Sequence, residues 1–335
     1  MLLERYDDDQ REAWNGCVRA SKNGTFLHLR EYMEYHRDRF DDCSWVARRR
    51  AGAPPLAVLP ANRRGDLLES HGGLTFGGWL CGAEMTTAAM LELFAELRRR
   101  LADEGVARLR YRAAPRIYHR APAEEDLYAL DRCGARVVRR APLSVVDLRR
   151  PLPWQERRRR GLRRAAAAGL VCEESDDLAG YWELLSAVLH DTYGAKPVHT
   201  LDEIAALQRL LPAHIRLFVC RRDERLLAGV LVYESDTVAR AQYIAASEEG
   251  KREAALDLLF DHLLRRVFAG KDWFDLGTSE GAEPGTLNDG VLEYKESLGA
   301  RLVAQDTYEL SIGGELPIES EPATVDAGRA ERGGG

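Results

Sequence analysis

The residues best suited to chemistry fall mainly in the second half of a 335-residue chain. Tyr243 stands near the end of a run rich in Val, Ala and aromatic residues, 238–245, which reads as a strand. There its hydroxyl would orient a ligand or relay a proton, unless it simply packs between sheet and helix. Glu293 and Lys295 put a potential base beside an ammonium, or else form a solvated ion pair. The run Ser247-Glu248-Glu249-Gly250-Lys251-Arg252 precedes a helical segment, where backbone N–H groups and the helix dipole favour anions. One glycine with two glutamates is a weak phosphate loop, although Lys251 and Arg252 supply charge directly. Six arginines fall within 157–164, and residues 136–164 hold eleven arginines against Asp147 and Glu156. That segment, Arg158 included, is either a solvated helix or a contact for phosphates. In the first half, Asn23-Gly24-Thr25-Phe26-Leu27-His28 reads as a turn entering a short structured segment. Tyr32 and His36 follow at intervals of four, a spacing that shares a helical face. Lys196, His199 and Asn288 are polar residues in expected loops, where binding groups and ordinary turn chemistry both occur.

The elements that would hold these residues repeat. Gly134-Ala135-Arg136-Val137-Val138 recurs as Gly299-Ala300-Arg301-Leu302-Val303, an offset of 165. The helical segments 91–100 and 257–266 align at an offset of 166, pairing Phe94 with Phe260 and Leu97 with Leu263. Each is followed by a glycine, Gly105 or Gly270, and a short strand, 107–111 or 273–276. Strand meanders precede both helices, at 44–48, 56–60 and 72–80, and at 215–220, 227–234 and 238–245. Each half ends in a further strand, 136–147 (interrupted at Pro142) and 301–310. The expected architecture is α/β, in α+β layers, as two tandem domains, each a mixed, largely antiparallel sheet flanked by helices. Pro151-Leu152-Pro153 marks the join and introduces a helix near Trp154, giving domains 1–150 and 151–313. Residues 315–335, poor in apolar side chains, are expected to be a disordered tail.

Composition narrows the function. A 45% hydrophobic, 30% charged chain of net charge −6 suits a globular enzyme better than a protein that coats nucleic acid. No apolar run approaches the length of a membrane span and the start turns acidic within four residues, so a cytoplasmic location is expected. The six cysteines are scattered without a C-x-x-C pair, which fits free thiols and predicts no metal site. Signatures of serine hydrolases, zincins, P-loop NTPases and dinucleotide folds are all missing.

Several segments together resemble the GNAT acyltransferases, and their tandem arrangement resembles the FemAB-like branch. They are Thr25-Phe26-Leu27-His28, the arginine-rich 157–168 helix, Gln242-Tyr243-Ile244-Ala245-Ala246-Ser247, Phe274-Asp275-Leu276-Gly277-Thr278-Ser279 and Tyr294-Lys295-Glu296-Ser297-Leu298-Gly299. The last departs from the family pattern at Leu298, where phenylalanine is frequent. The resemblance implies transfer of an acyl group to an amine without a covalent enzyme intermediate. The donor would be acyl-CoA, acetyl-CoA being the simplest, or alternatively aminoacyl-tRNA; no tightly bound cofactor is implied. Tyr243, Lys295 and Glu293 would be catalytic, with Lys295 meeting the donor or the developing oxyanion. Gln242, Ala245, Gly250, Lys251 and Arg252 would line the donor site. His28, Tyr32, His36, Arg158, Lys196, His199, Ser279 and Asn288 would face a small-molecule or cell-envelope-type amine. A silent duplicated scaffold binding a nucleotide or RNA through the arginine helix is the reading from another class.

Overall fold

The computed structural model describes residues 1–313 except 71, 282 and 284. The tail expected at 315–335 lies outside the described residues. Among the described residues no helix is long and apolar enough to cross a membrane.

The first half opens on a four-stranded antiparallel sheet of Leu2–Arg5, Trp45–Arg48, Pro55–Leu59 and Leu80–Cys81. Alternation of Leu56, Val58, Ala57 and Leu59 buries both faces. The helix Thr87–Asp103 covers it with Met90, Phe94, Leu97 and Leu101, spaced three and four apart on one stripe. Thr86 caps that helix through Ala89 N–H. The strand expected at 72–80 is reduced to its last residue, because Gly73 and Gly78 take left-handed backbone angles that interrupt an extended run.

The second sheet has eleven strands and runs through both halves. Val171–Glu174, Ile215–Arg222, Arg225–Glu234 and Val238–Ala246 form an antiparallel meander, and Trp273–Thr278 joins Val238–Ala246 in parallel. Beside Trp273–Thr278 lies Arg136–Asp147, a strand of the first half by sequence. Beside that lies Arg301–Ser311, from the second half, which then pairs with Arg108–Arg112 of the first. The two repeats have thus exchanged their last strands. Equivalent residues meet about a local twofold centre at Ala141↔Gln305 and Arg140↔Asp306. The expected interruption at Pro142 does not occur, since the strand continues unbroken through it and Ala304 is its ladder partner.

The faces of this sheet carry different layers. Val230, Val232, Ala239, Ala241, Phe274 and Leu276 pack under Ala255–His262 and Glu156–Ala167. Leu231, Tyr233, Val238, Leu143 and Val145 pack on the other side against Leu178–Tyr193, Leu201–Leu210 and the segment 26–35. Because strand side chains alternate between faces, each polar residue's side follows from its neighbours.

Candidate active site

The parallel pairing of Val238–Ala246 with Trp273–Thr278 lasts three residues, ending at Arg240↔Asp275. Both strands continue, but a register shift at Leu231/Val232 leaves Gln242 as an extra residue opposite the neighbouring strand, and the bulge bends Val238–Ala246 away. The result is a V-shaped opening through the sheet. The corresponding gap in the first half is filled: Leu67–Glu69 pairs with Arg108–Arg112, and among the described residues an isolated parallel bridge, Gly77↔Ala113, stands where the second half has its parallel pairing. Tyr111 closes it further, accepting Trp79 N–H at 2.6 Å and donating to Asp126 at 2.5 Å.

Tyr243 stands at the opening just beyond the bulge. Its hydroxyl lies 2.6 Å from His199 Nδ1 and accepts the His199 backbone N–H at 3.4 Å. Trp182 packs edge-on to Tyr243, and Tyr35 stacks on His199. Tyr32 meets Tyr35 and Tyr233 edge-on. Burial raises the Tyr243 phenol above its ordinary value, so it stays neutral near pH 7 and serves as donor or relay. The expected acceptor residues Tyr32 and His199 are therefore brought together with Tyr243.

Asp275 sits at the apex, wholly buried. It accepts from Arg240 Nη1 at 2.5 Å, Tyr118 hydroxyl at 2.7 Å and Gly277 N–H at 2.7 Å. Lys295 reaches the opening from the opposite face, on the helix Asp289–Ser297, donating to Thr278 O at 2.6 Å and Gly277 O at 3.1 Å. Burial pushes its ammonium down from 10.5 to about 8; Asp275 opposes the shift and Arg240 adds to it. Ser279 is buried beside Ser144, hydroxyls 3.0 Å apart. Cation, phenol and imidazole thus border one opening, an arrangement able to accept a proton on one side and stabilise negative charge on the other.

On the other face of the sheet the arginine helix borders a second cavity. Arg157, Arg158, Arg164 and Lys251 line a cavity of about 220 Å³ with Gly250 and Tyr294. Arg158, an expected acceptor residue, donates to Asp257 at 3.0 Å and Ser297 at 2.9 Å and lies over the Tyr294 ring, on the sheet face opposite Tyr243. The backbone of the 247–252 loop is largely spoken for. Ser247 caps its turn through Gly250 N–H, and a Cβ at Gly250 would sit 2.1 Å from Leu227 O. That glycine serves helix-to-strand packing. Glu249 pairs with Arg225 and Arg222, and Glu248 with Lys251. Phosphates would therefore be held here by side-chain charge more than by backbone amides.

Other expected site residues lie elsewhere. His28 is fully buried, its ring bonded to Thr25 N–H and near Phe76 O, and burial lowers it to about 4; it holds a turn together as a neutral ring. Glu293, expected as a base, is exposed and paired with Arg157 at 2.8 Å. Asn288 caps the Lys295 helix through Val291 N–H. Lys196 and Arg252 are exposed, Gln242 receives a 3.3 Å bond from Arg240, Ala245 is a buried strand residue, and His36 ends the turn Glu34–His36. Sequence reasoning missed Arg240, Asp275 and Tyr118. Its available signal was a lone arginine and a lone aspartate inside otherwise apolar strands, which must be paired to be buried. No group of His, Cys, Asp and Glu suited to a metal occurs among the described residues.

Comparison with known proteins assigns this arrangement to a class. Residues 155–296 match the family model described as an acetyltransferase (GNAT) domain. The chain as a whole is similar to the crystal structure of FemX, with a TM-score of 0.68, 11% identity, and coverage of 93% of this chain and 97% of that one. It is also similar to L-PGS from Bacillus licheniformis (TM-score 0.58, 14% identity, 94% and 95% covered). A third similarity is to the C-terminal domain of a putative lysylphosphatidylglycerol synthetase from Agrobacterium fabrum (0.57, 16%, 91% and 92%). Identities this low establish a shared fold. No curated protein matches the sequence. The chain thus shares its fold with FemX, and its residues 155–296 match a GNAT domain.

Proposed function

We propose that the protein is an N-acyltransferase whose acceptor amine enters on the tyrosine-lined face and attacks an acyl carbonyl presented from the arginine-lined face. The observation carrying this reading is the parting of Val238–Ala246 from Trp273–Thr278 after Arg240↔Asp275, with Tyr243 and His199 on one side and Lys295 on the other. The amine nitrogen bonds to the carbonyl carbon and passes its proton toward the Tyr243–His199 pair. The carbonyl carbon then loses its thiolate or alkoxide, which takes up the proton released by the amine. Lys295 stabilises the intermediate oxyanion. Residues 1–150 would chiefly shape the acceptor side and 151–313 the donor side.

Acyl-CoA is the donor in this reading, its phosphates held by Arg157, Arg158, Arg164 and Lys251. Aminoacyl-tRNA is the second reading, favoured by the poor backbone cradle at Gly250 and by Arg160 and Arg164, which form no ion pair among the described residues. Calorimetric titration with acetyl-CoA at low and moderate salt separates them. Saturable micromolar binding that changes little with salt supports acyl-CoA. Its absence from folded protein, with steeply salt-dependent tRNA binding, transfers the reading to the second donor. Lys295→Ala is expected to lower turnover in a folded protein; unchanged turnover removes Lys295 from the chemistry.

A further inference from the structure

Among the cationic groups near the cleft, Arg112 alone has no role so far. It ends the first-half strand Arg108–Arg112 and opposes Thr307, which in turn opposes Arg139. That register puts Arg112 and Arg139 on the same sheet face as Leu143 and Val145. Arg240, between Ala239 and Ala241 of the other face, points to this side as well. The guanidinium of Arg139 is bidentate to Glu280 and that of Arg240 is bonded to Asp275. Arg112 makes no side-chain hydrogen bond or ion pair among the described residues, and its Nε is buried without a partner. Burial above all, and then the charges of Arg139 and Arg240, disfavour its charge, and Glu280 offsets this only in part. Three guanidinium groups therefore converge on two carboxylates, and the surplus cation sits half-buried.

A half-buried, unpaired guanidinium beside two others costs stability, and its planar fork is shaped for a carboxylate or phosphate. The arginine helix, which offers charge for the donor, lies on the opposite face of the sheet. We propose that Arg112, flanked by Arg139 and Arg240, receives an anionic group of the acceptor, so that the acceptor is an amine carrying a carboxylate or phosphate. The assignment of the anion to the acceptor rests on the acyltransferase reading above; the anion site itself does not. Arg112 would be a specificity-determining residue, fixing which amines are presented at Tyr243.

The test uses the full chain and the variant Arg112→Met, with thermal unfolding followed in sodium phosphate, sodium acetate and sodium chloride at equal ionic strength. The wild type is expected to gain stability saturably with phosphate or with acetate, and the anion that acts identifies the group. In Arg112→Met the apparent affinity is expected to fall about tenfold or more, the loss of one charge-assisted contact. In chloride alone the variant is expected to unfold at the same temperature as the wild type or higher, because a surplus half-buried cation has been removed. A lower unfolding temperature in chloride would mark Arg112 as structural and overturn the proposal. So would an anion response that is absent in the wild type or unchanged in the variant. Acetyl-CoA titration of both proteins is expected to give equal affinity. Failure of the wild type to bind acetyl-CoA bears on the donor reading alone, while reduced binding by Arg112→Met would place the site on the donor and overturn its assignment to the acceptor.

Discussion

Lys295 offers the most direct test of the electrostatics of the cleft, through Lys295→Met. The folded protein releases the Lys295 proton near pH 8, whereas an exposed lysine in the unfolded chain holds it to about 10.5. Between these values the unfolded chain binds more protons, so the stability contributed by this group rises with pH. Its penalty is present in full below pH 8 and has vanished above 10.5. At about 1.36 kcal/mol per pH unit the interval corresponds to roughly 3 kcal/mol. The bonds to Gly277 and Thr278 carbonyls persist in the neutral amine, so their loss in the variant shifts the comparison by a constant without imposing a slope. Urea unfolding of both proteins at half-unit steps from pH 7.5 to 10.5 is the assay. Wild-type stability is expected to climb by about 3 kcal/mol relative to Lys295→Met across that range. Parallel curves would refute a buried, depressed ammonium at the apex. The same titration predicts that turnover dependent on the ammonium declines as pH passes 8.

Gly250→Ala tests what the loop glycine is for. With a Cβ 2.1 Å from Leu227 O, the variant is expected to lose about 1–3 kcal/mol of stability in chemical denaturation; full stability with weakened donor binding would restore a phosphate-loop role. Separate expression of residues 151–313 is expected to give a protein that self-associates in sedimentation, because the exchanged strand Arg136–Asp147 is absent and Trp273–Thr278 and Arg301–Ser311 lose their ladder partner. A stable monomer would show that the exchanged strand is dispensable.

The repeat was legible in the sequence because its signals are local. The glycines at 134 and 299 both take left-handed angles, and the helices at Thr87–Asp103 and Ala255–His262 carry their apolar residues on one stripe. Pairing between distant strands carries no such signal. Arg136–Asp147 reads as an edge strand of its own half, exposed at Val137 and Val138, and only its match in register to Arg301–Ser311 reveals the exchange. Pro142 looked like an interruption from sequence because proline removes a ladder donor. The strand tolerates it here, with Ser279 N–H bonding to its carbonyl.

The site divides along the same line. Tyr243 and Lys295 were visible because each is a polar residue in a recognisable local segment, whereas His28 was visible for the wrong reason, its ring being needed to close the turn at Thr25. What could not be read was the convergence of Arg112, Arg139, Arg240 and Asp275, four residues contributed by four strands from both repeats. Their meeting depends on the strand exchange. By moving Arg136–Asp147 beside Trp273–Thr278, the exchange sets first-half arginines next to the second-half opening, while the first half's own opening is plugged by Leu67–Glu69 and Tyr111. Duplication followed by exchange thus leaves one working cleft with walls from two sources. The second repeat supplies the bulge, the phenol, the ammonium and Arg240; the first adds Arg112 and Arg139. A change in the acceptor's anionic group would then begin at Arg112, on a strand that carries neither Tyr243 nor Lys295.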